Sequence, residues 1–302
     1  MNLYLYLAEY LPEERLRQNE PMSAHTTFRI GGPAEVMFLP ASEEELSIAV
    51  RLAREAECEV SFVGRGSNLL VRDGGIRGLV ILFGDGFSGI GIKGGIITAK
   101  AGDTLTRLSN AALEAGLSGL EFASGIPGSV GGAMVMNAGA YGGQMSDVTM
   151  WARLMDVRTG DVKQFSLDAL EMGYRISRAL KTGEVVTQTA FRLMRGDKAE
   201  IRARMDDFNR RRREKQPLNY PSAGSTFKRP TGHFAGALIE QAGLKGFSVG
   251  GAEVSELHAG FIVNRGNATA RDVLELISQV RQRVYEHSGV MLEPEVRIIG
   301  ED

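Results

Sequence analysis

Residues 124–143 read SGIPGSVGGAMVMNAGAYGG and lie within a longer stretch, 122–146, that carries no charged side chain. Seven glycines, Pro127, Asn137 and Gln144 interrupt it. A membrane-spanning helix is therefore excluded, because each interruption would leave backbone groups unsatisfied in lipid. The stretch is neither one helix nor one strand. An irregular run of this length inside a folded domain usually serves function, and residues this small let backbone lie flat against a large planar ligand. A buried core turn is the plainer alternative. The whole chain shares the bias, with 38 glycines in 302 residues where about 7% is ordinary, and it lacks the period of three that collagen needs.

Towards the N-terminus, 96–102 (IITAKAG) reads as a strand, and Asp103 is placed to cap a helix running through Leu113 to Gly116. Before it, Gly89-Ile-Gly-Ile-Lys-Gly94 matches the dinucleotide pattern G-x-G-x-x-G. It precedes a strand instead of joining a strand to a helix, so a bare turn is expected. Further back, 36–39 (VMFL) reads as a strand. Ser42 to Glu45 read as a capping box, opening a helix with Leu46, Ala49, Val50 and Ala53 on one face. Alternating Val60 and Phe62 then lead directly into Gly64, Arg65, Gly66, Ser67 and Asn68. Consecutive N–H groups there can nest an anion, with a guanidinium and small polar side chains beside them; an ordinary turn is an equal alternative. A strand pair follows at Leu69–Val71 and Leu79–Phe83. The first residues, MNLYLYLAEYL, lack a basic leader and a cleavage site, and read as a short amphipathic helix kept on the mature protein.

Towards the C-terminus, strands are expected near Thr149–Val157 and Val185–Met194, then a charged linking helix over Lys198–Lys215, stopped by Pro217 and Pro221. Thr269 and Asp272 signal a helix start, Val273, Leu276, Ile277, Val280 and Val284 a buried stripe, and Gly289 its end. Gly246–Gly250 fits the G-x-S-x-G elbow, but it follows no strand, so a nucleophilic Ser248 is not expected. Arg175, Ser225 and Glu295 each admit a bland reading alone.

Basic and acidic residues nearly balance, 35 against 37, for a net charge of -2. That argues against a nucleic-acid partner, so Arg210–Arg213 reads as a solvated helix end beside Asp206, Asp207 and Glu214. Apolar residues at 43% and charged residues at 24% describe a globular chain. Cys58 alone permits neither an internal disulfide nor a cysteine metal site, which suits the cytoplasm. No metal is expected.

Taken in order, Thr27-Phe-Arg-Ile-Gly-Gly32, Gly64–Val71, Gly125–Gly132, Asn137–Gly142, Tyr174-Arg175, Ala223–Lys228 and Leu292–Glu295 resemble the UDP-N-acetylenolpyruvoylglucosamine reductases. These are flavoenzymes of bacterial cell-wall precursor synthesis, also called UDP-N-acetylmuramate dehydrogenases. The resemblance implies an α+β chain with a two-subdomain FAD-binding fold of the vanillyl-alcohol-oxidase type (PCMH-type). An N-terminal helical segment would occupy 1–22, the subdomains 23–90 and 91–197, and a C-terminal α+β substrate domain 198–302. FAD would be held without a covalent bond by Gly64, Arg65, Gly66, Ser67 and Asn68, and by Gly125, Ser129, Gly132, Ala133 and Asn137. NADPH would donate hydride, and UDP-N-acetylglucosamine enolpyruvate would be reduced to UDP-N-acetylmuramate.

The resemblance further implies that Arg175 and Glu295 meet the substrate carboxylate, that Ser225 delivers the proton, and that Tyr174, Lys215 and His258 bind substrate. Negative charge grows next to the carboxylate during the reaction, so Glu295 is expected to be protonated, with a raised pKa. Only residues 177–185 separate Arg175 from the next strand, which resembles the shorter class without a tyrosine-bearing loop. Arg229 stands where another polar residue is common and is not counted. No membrane, nucleic acid or obligate protein partner is implied, and the cytoplasm is the expected location. The alternative is another FAD-dependent oxidoreductase of this fold acting on a small hydroxy acid, without the Ser225 and Glu295 pair. A colourless nucleotide-binding or RNA-binding module built on Arg210–Arg213 is the non-enzymatic rival.

Overall fold

The computed structural model describes residues 2–302. The chain forms two compact units: one takes residues up to Gln18, Val36–Arg65 and Gly78–Arg212, the other Asn19–Glu35, Gly66–Arg77 and Arg213–Asp302.

In the first unit, the helix Glu43–Glu55 starts where Ser42 Oγ accepts the Glu45 N–H at 3.1 Å. The Glu45 carboxylate turns back onto the N–H of Ala41 instead of Ser42, so half of the expected box is displaced by one residue. Leu46, Ala49, Val50 and Ala53 bury against Val36, Phe38, Leu79 and Ile81. Those last side chains come from a four-stranded sheet ordered Leu16–Pro21, Pro33–Phe38, Ile76–Leu82, Val60–Val63. A second, antiparallel sheet runs in the order Val162–Ser166, Thr149–Met155, Val185–Arg192, Ile96–Lys100, Ile90–Lys93. Leu105, Leu108 and Ala112 of the helix Leu105–Glu114 pack on Ile97 and Ala99, together with Val130, Ala133 and Met134. The uncharged stretch therefore supplies core as well as loop: it folds into the short helix Val130–Val135 and a hairpin pairing Gly139–Ala140 with Gly143–Gln144.

Three local expectations need correction. Thr104, not Asp103, caps the helix Leu105–Glu114, its Oγ1 accepting the Arg107 N–H at 3.1 Å. The fully buried Asp103 carboxylate instead accepts the Gly89 N–H at 2.7 Å. Gly89–Gly94 is no bare turn, because Ile90–Lys93 forms an edge strand and the turn to Ile96 falls at Gly94 and Gly95. Leu69–Val71 does not pair with Leu79–Leu82; it runs parallel to Arg297–Ile299.

The second unit is built on an antiparallel sheet ordered Ser222–Ser225, Phe261–Asn264, Ala252–Val254, Ser248–Val249. Ser248 is exposed on the edge strand of this sheet. The helix Ala270–Ser288 carries the expected stripe, with Val273, Leu276, Val280 and Val284 each 0% exposed. Thr269 and Asp272 cap it reciprocally, and Gly289 ends it in the left-handed conformation at φ 71°.

The units cut the chain differently from the expected boundaries, and burial explains where. Phe28, Ile30 and Leu70, expected in a subdomain at 23–90, bury in the core of the second unit beside Leu276, Ile277 and Leu292. Most of the helix Lys198–Lys215, expected in the C-terminal domain, belongs to the first unit because Ile201 and Met205 bury on Leu113. No helix among the described residues is long and apolar enough to cross a membrane.

Candidate active site

The expected cofactor residues of the first unit converge. Ser129 Oγ accepts the Gly132 N–H at 3.3 Å and caps the helix Val130–Val135. The strand-to-helix junction before Leu105 fixes this segment through Val130 N–H to Asp103 O at 2.8 Å and Leu105 N–H to Gly128 O at 3.0 Å. Gly64 lies against the same serine: a Cβ there would stand 2.2 Å from Ser129 Oγ, so only glycine permits this approach. Ala133 is buried, Gly132 and Arg65 are exposed, and Gly125 is half-buried.

Asn137 has another task. It is 1% exposed and left-handed at φ 42°. Its Nδ2 donates to Gly173 O at 3.1 Å and Ser146 Oγ at 3.2 Å, while its Oδ1 accepts the Ser146 N–H at 2.9 Å. With its amide spent inside the protein, Asn137 ties the glycine-rich segment to the turn Gly173–Ile176, and Ser177 Oγ reinforces the tie by donating to Val135 O at 2.8 Å. That turn presents Tyr174 and Arg175. Arg175 is left-handed at φ 56°, and its guanidinium sits 5.0 Å over the exposed Tyr174 ring. A non-glycine residue held there carries strain that persists only where surroundings over-determine it.

The second unit gathers another group. Ser225, exposed at the end of its strand, lies opposite Phe261. Glu295 N–H donates to Thr226 O at 2.8 Å, and Asn68 Nδ2 donates to Glu295 O at 3.2 Å. Ser225, Glu295 and Asn68 are thus held together by backbone, with Gly66 (φ 60°) and half-buried Ser67 just before Asn68. His258 belongs to the same group: its ring packs edge-on to Phe261 at 4.9 Å, and its Nδ1 accepts the Gly260 N–H at 3.1 Å. Burial, with the nearby Lys245 charge as a smaller cause, lowers its pKa below the ordinary 6.5. A neutral ring whose Nδ1 accepts must carry its proton on Nε2. Lys215 is exposed at the last position of its helix.

One residue escaped the sequence reading. Arg210 and Arg211 pair with Asp207 at 2.6 and 2.7 Å, as a solvated helix end should. Arg212 does not: it is half-buried, its Nε has no partner, and burial lowers its pKa. It lies beside Gly125, where a Cβ would stand 3.3 Å from Arg212 Cδ and 2.5 Å from Asn209 Oδ1. The missed signal is periodic, since Ile201, Met205, Phe208 and Arg212 share one helix face. Ser124, 5% exposed, also keeps a buried hydroxyl without a partner. A half-buried guanidinium whose Nε is unpartnered and a buried, unpartnered hydroxyl, next to a glycine-lined segment, are donors suited to an anionic nucleotide. The residues fit FAD.

Residues 34–166 match the model of an FAD binding domain, and 216–299 match the C-terminal domain of UDP-N-acetylenolpyruvoylglucosamine reductase. A protein of that name from Syntrophomonas wolfei is 50% identical over 99% of this chain and 100% of its own length. The chain belongs to the UDP-N-acetylenolpyruvoylglucosamine reductase family. A relative of the same name from Alkaliphilus oremlandii is 48% identical over 100% of this chain and 99% of its own length. The crystal structure of a family member from Thermus caldophilus superposes with a TM-score of 0.79 at 39% identity, covering 92% of this chain and 97% of that one. Membership fixes the fold class: a two-subdomain FAD-binding fold of the vanillyl-alcohol-oxidase type followed by an α+β C-terminal domain.

Proposed function

We propose that this chain reduces UDP-N-acetylglucosamine enolpyruvate to UDP-N-acetylmuramate with NADPH, a step of peptidoglycan precursor synthesis in the cytoplasm. The observation that carries the reading is the Glu295 N–H to Thr226 O bond, which holds Glu295 against the residue that follows Ser225, in a chain of this family. FAD, when bound, supplies hydride transfer from NADPH to the terminal carbon of the enolpyruvyl double bond. Gly64 to Asn68 and the segment from Ser124 to Ala133 would hold it, with Arg212 on its phosphates; Asn137 would position that segment from behind.

Charge then builds on the carbon next to the substrate carboxylate. Arg175 offers a permanent cation in fork geometry to that carboxylate, stabilising the charge where it grows. Ser225 Oγ gives its proton to the carbon that hydride does not reach. The hydroxyl is a weak acid, but the carbanion is a strong base, so placement matters more than acidity. Glu295 assists only as the protonated acid, since an ionised carboxylate would repel the growing charge. Tyr174, Lys215 and the Nε2–H of His258 would bind substrate. A yellow preparation bleached by NADPH and reoxidised without oxygen by UDP-N-acetylglucosamine enolpyruvate is the expected result. Reoxidation by a 2-keto acid in place of that substrate would favour the hydroxy-acid enzyme, and a colourless protein that takes up no FAD would end the reading.

A further inference from the structure

Along the helix Lys198–Lys215 the arginines find carboxylates where they can: Arg204 meets Glu121 at 2.8 Å, and Arg210 and Arg211 share Asp207. Arg212 meets a phenol instead, its guanidinium in hydrogen-bonding contact with the Tyr141 hydroxyl. Tyr141 is itself fixed twice. Its ring stacks flat on Phe208, with centroids 4.7 Å apart and planes 4° from parallel. Its backbone is left-handed at φ 52°, a conformation bulky residues rarely keep without a reason. The ring nevertheless stays 40% exposed.

We infer that Tyr141 is a positioning residue that aims Arg212 at the diphosphate of a bound nucleotide without neutralising it. A carboxylate in its place would orient the guanidinium but cancel its charge and repel an incoming phosphate; a neutral phenol orients the fork and leaves the charge to the ligand. A Cβ at Gly125 would stand 3.3 Å from Arg212 Cδ and 3.6 Å from its Nη1, which sets the guanidinium against the glycine-rich segment. The inference rests on the FAD reading above.

The test uses Tyr141→Phe, which keeps the stack on Phe208 and removes only the hydroxyl, and Arg212→Lys, which keeps a charge but loses the fork. Apoprotein is titrated with FAD by flavin fluorescence, FAD-loaded protein is titrated with UDP-N-acetylglucosamine, and the melting temperature of each apoprotein is recorded. Tyr141→Phe should weaken one of these ligands about three- to tenfold, the effect of one hydrogen bond, with an unchanged apoprotein melting temperature. Arg212→Lys should weaken the same ligand at least as much. A loss confined to FAD assigns the diphosphate to the cofactor, and one confined to the UDP ligand assigns it to the substrate; either supports the role. Wild-type affinity for both ligands in Tyr141→Phe overturns it, as does a loss that Arg212→Lys does not share. Should Arg212→Lys fail to fold, Phe208→Ala, which frees the ring, must lose the same affinity or the inference fails. A wild-type chain that takes up no FAD is a different result, and removes the underlying reading.

Discussion

The hydroxyl of Ser225 is exposed at a strand end with Gly224 before it at φ 77°, so nothing packs the side chain away from a ligand. Ser225→Ala removes one oxygen and no packing. Flavin reduction by NADPH should continue at its normal rate, while substrate reduction falls by about 10²–10⁴, the range for a lost proton donor. Stopped-flow spectra of the two half-reactions separate these, and equal losses in both would contradict the assignment. His258 makes a second residue-scale prediction. Its folded pKa lies below 6.5 because of burial, so on acidification the unfolded chain binds the proton first. The stability it contributes is present above pH 6.5 and is lost as pH falls through the folded value. His258→Gln should therefore flatten the fall in urea midpoint below pH 6.5 relative to wild type. Identical slopes would show that another group dominates; Lys245 and Glu240 are the other charged groups acting on the imidazole.

At the scale of elements, caps and faces decide. The helix Ala270–Ser288 was fully legible, from the Thr269 and Asp272 box to Gly289, because every signal in it is local. Thr269→Ala should cost about 1 kcal/mol, read from a denaturant midpoint; an unchanged midpoint would mean the Asp272 bonds alone hold the helix start. Where the sequence misled, two residues met the same local rule. Asp103 and Thr104 can both cap a helix, and the Gly89 N–H claimed the buried aspartate. Leu69–Val71 was recognisable as a strand, but its partner lies at Arg297–Ile299, and no local pattern reaches that far. Arg212 hid for the opposite reason: a run of arginines looks uniform until the helix face is counted, and only the arginine in register with Ile201, Met205 and Phe208 turns inward. The composition of the glycine segment suggests a ligand site, yet Asn137 shows that a motif residue can serve by holding Gly173 from behind.

At the scale of the whole molecule, the motifs ordered along the chain found the family, but three contiguous segments were a poorer guide to its compact units. Unit borders follow where apolar side chains bury, and Phe28, Ile30 and Leu70 are distant in sequence from the core they enter. The expected FAD residues are likewise dispersed, from Gly64 to Asn137, and near them Ser124 Oγ and Arg212 Nε have no protein partner. A ligand that satisfies them binds the native chain and not the unfolded one. By mass action, FAD at about a hundred times its dissociation constant should add about 2.7 kcal/mol of stability. In a chain of this size that raises the melting temperature by about 4 °C. FMN, which lacks the adenylate half and the diphosphate, leaves Arg212 unanswered and should give a clearly smaller rise at the same multiple of free concentration. Calorimetry on apoprotein with each flavin reads both. Equal shifts would mean that the isoalloxazine end carries the binding and that the buried guanidinium serves the substrate instead; no shift with FAD would mean that the donors left open by this fold are not answered by a flavin dinucleotide.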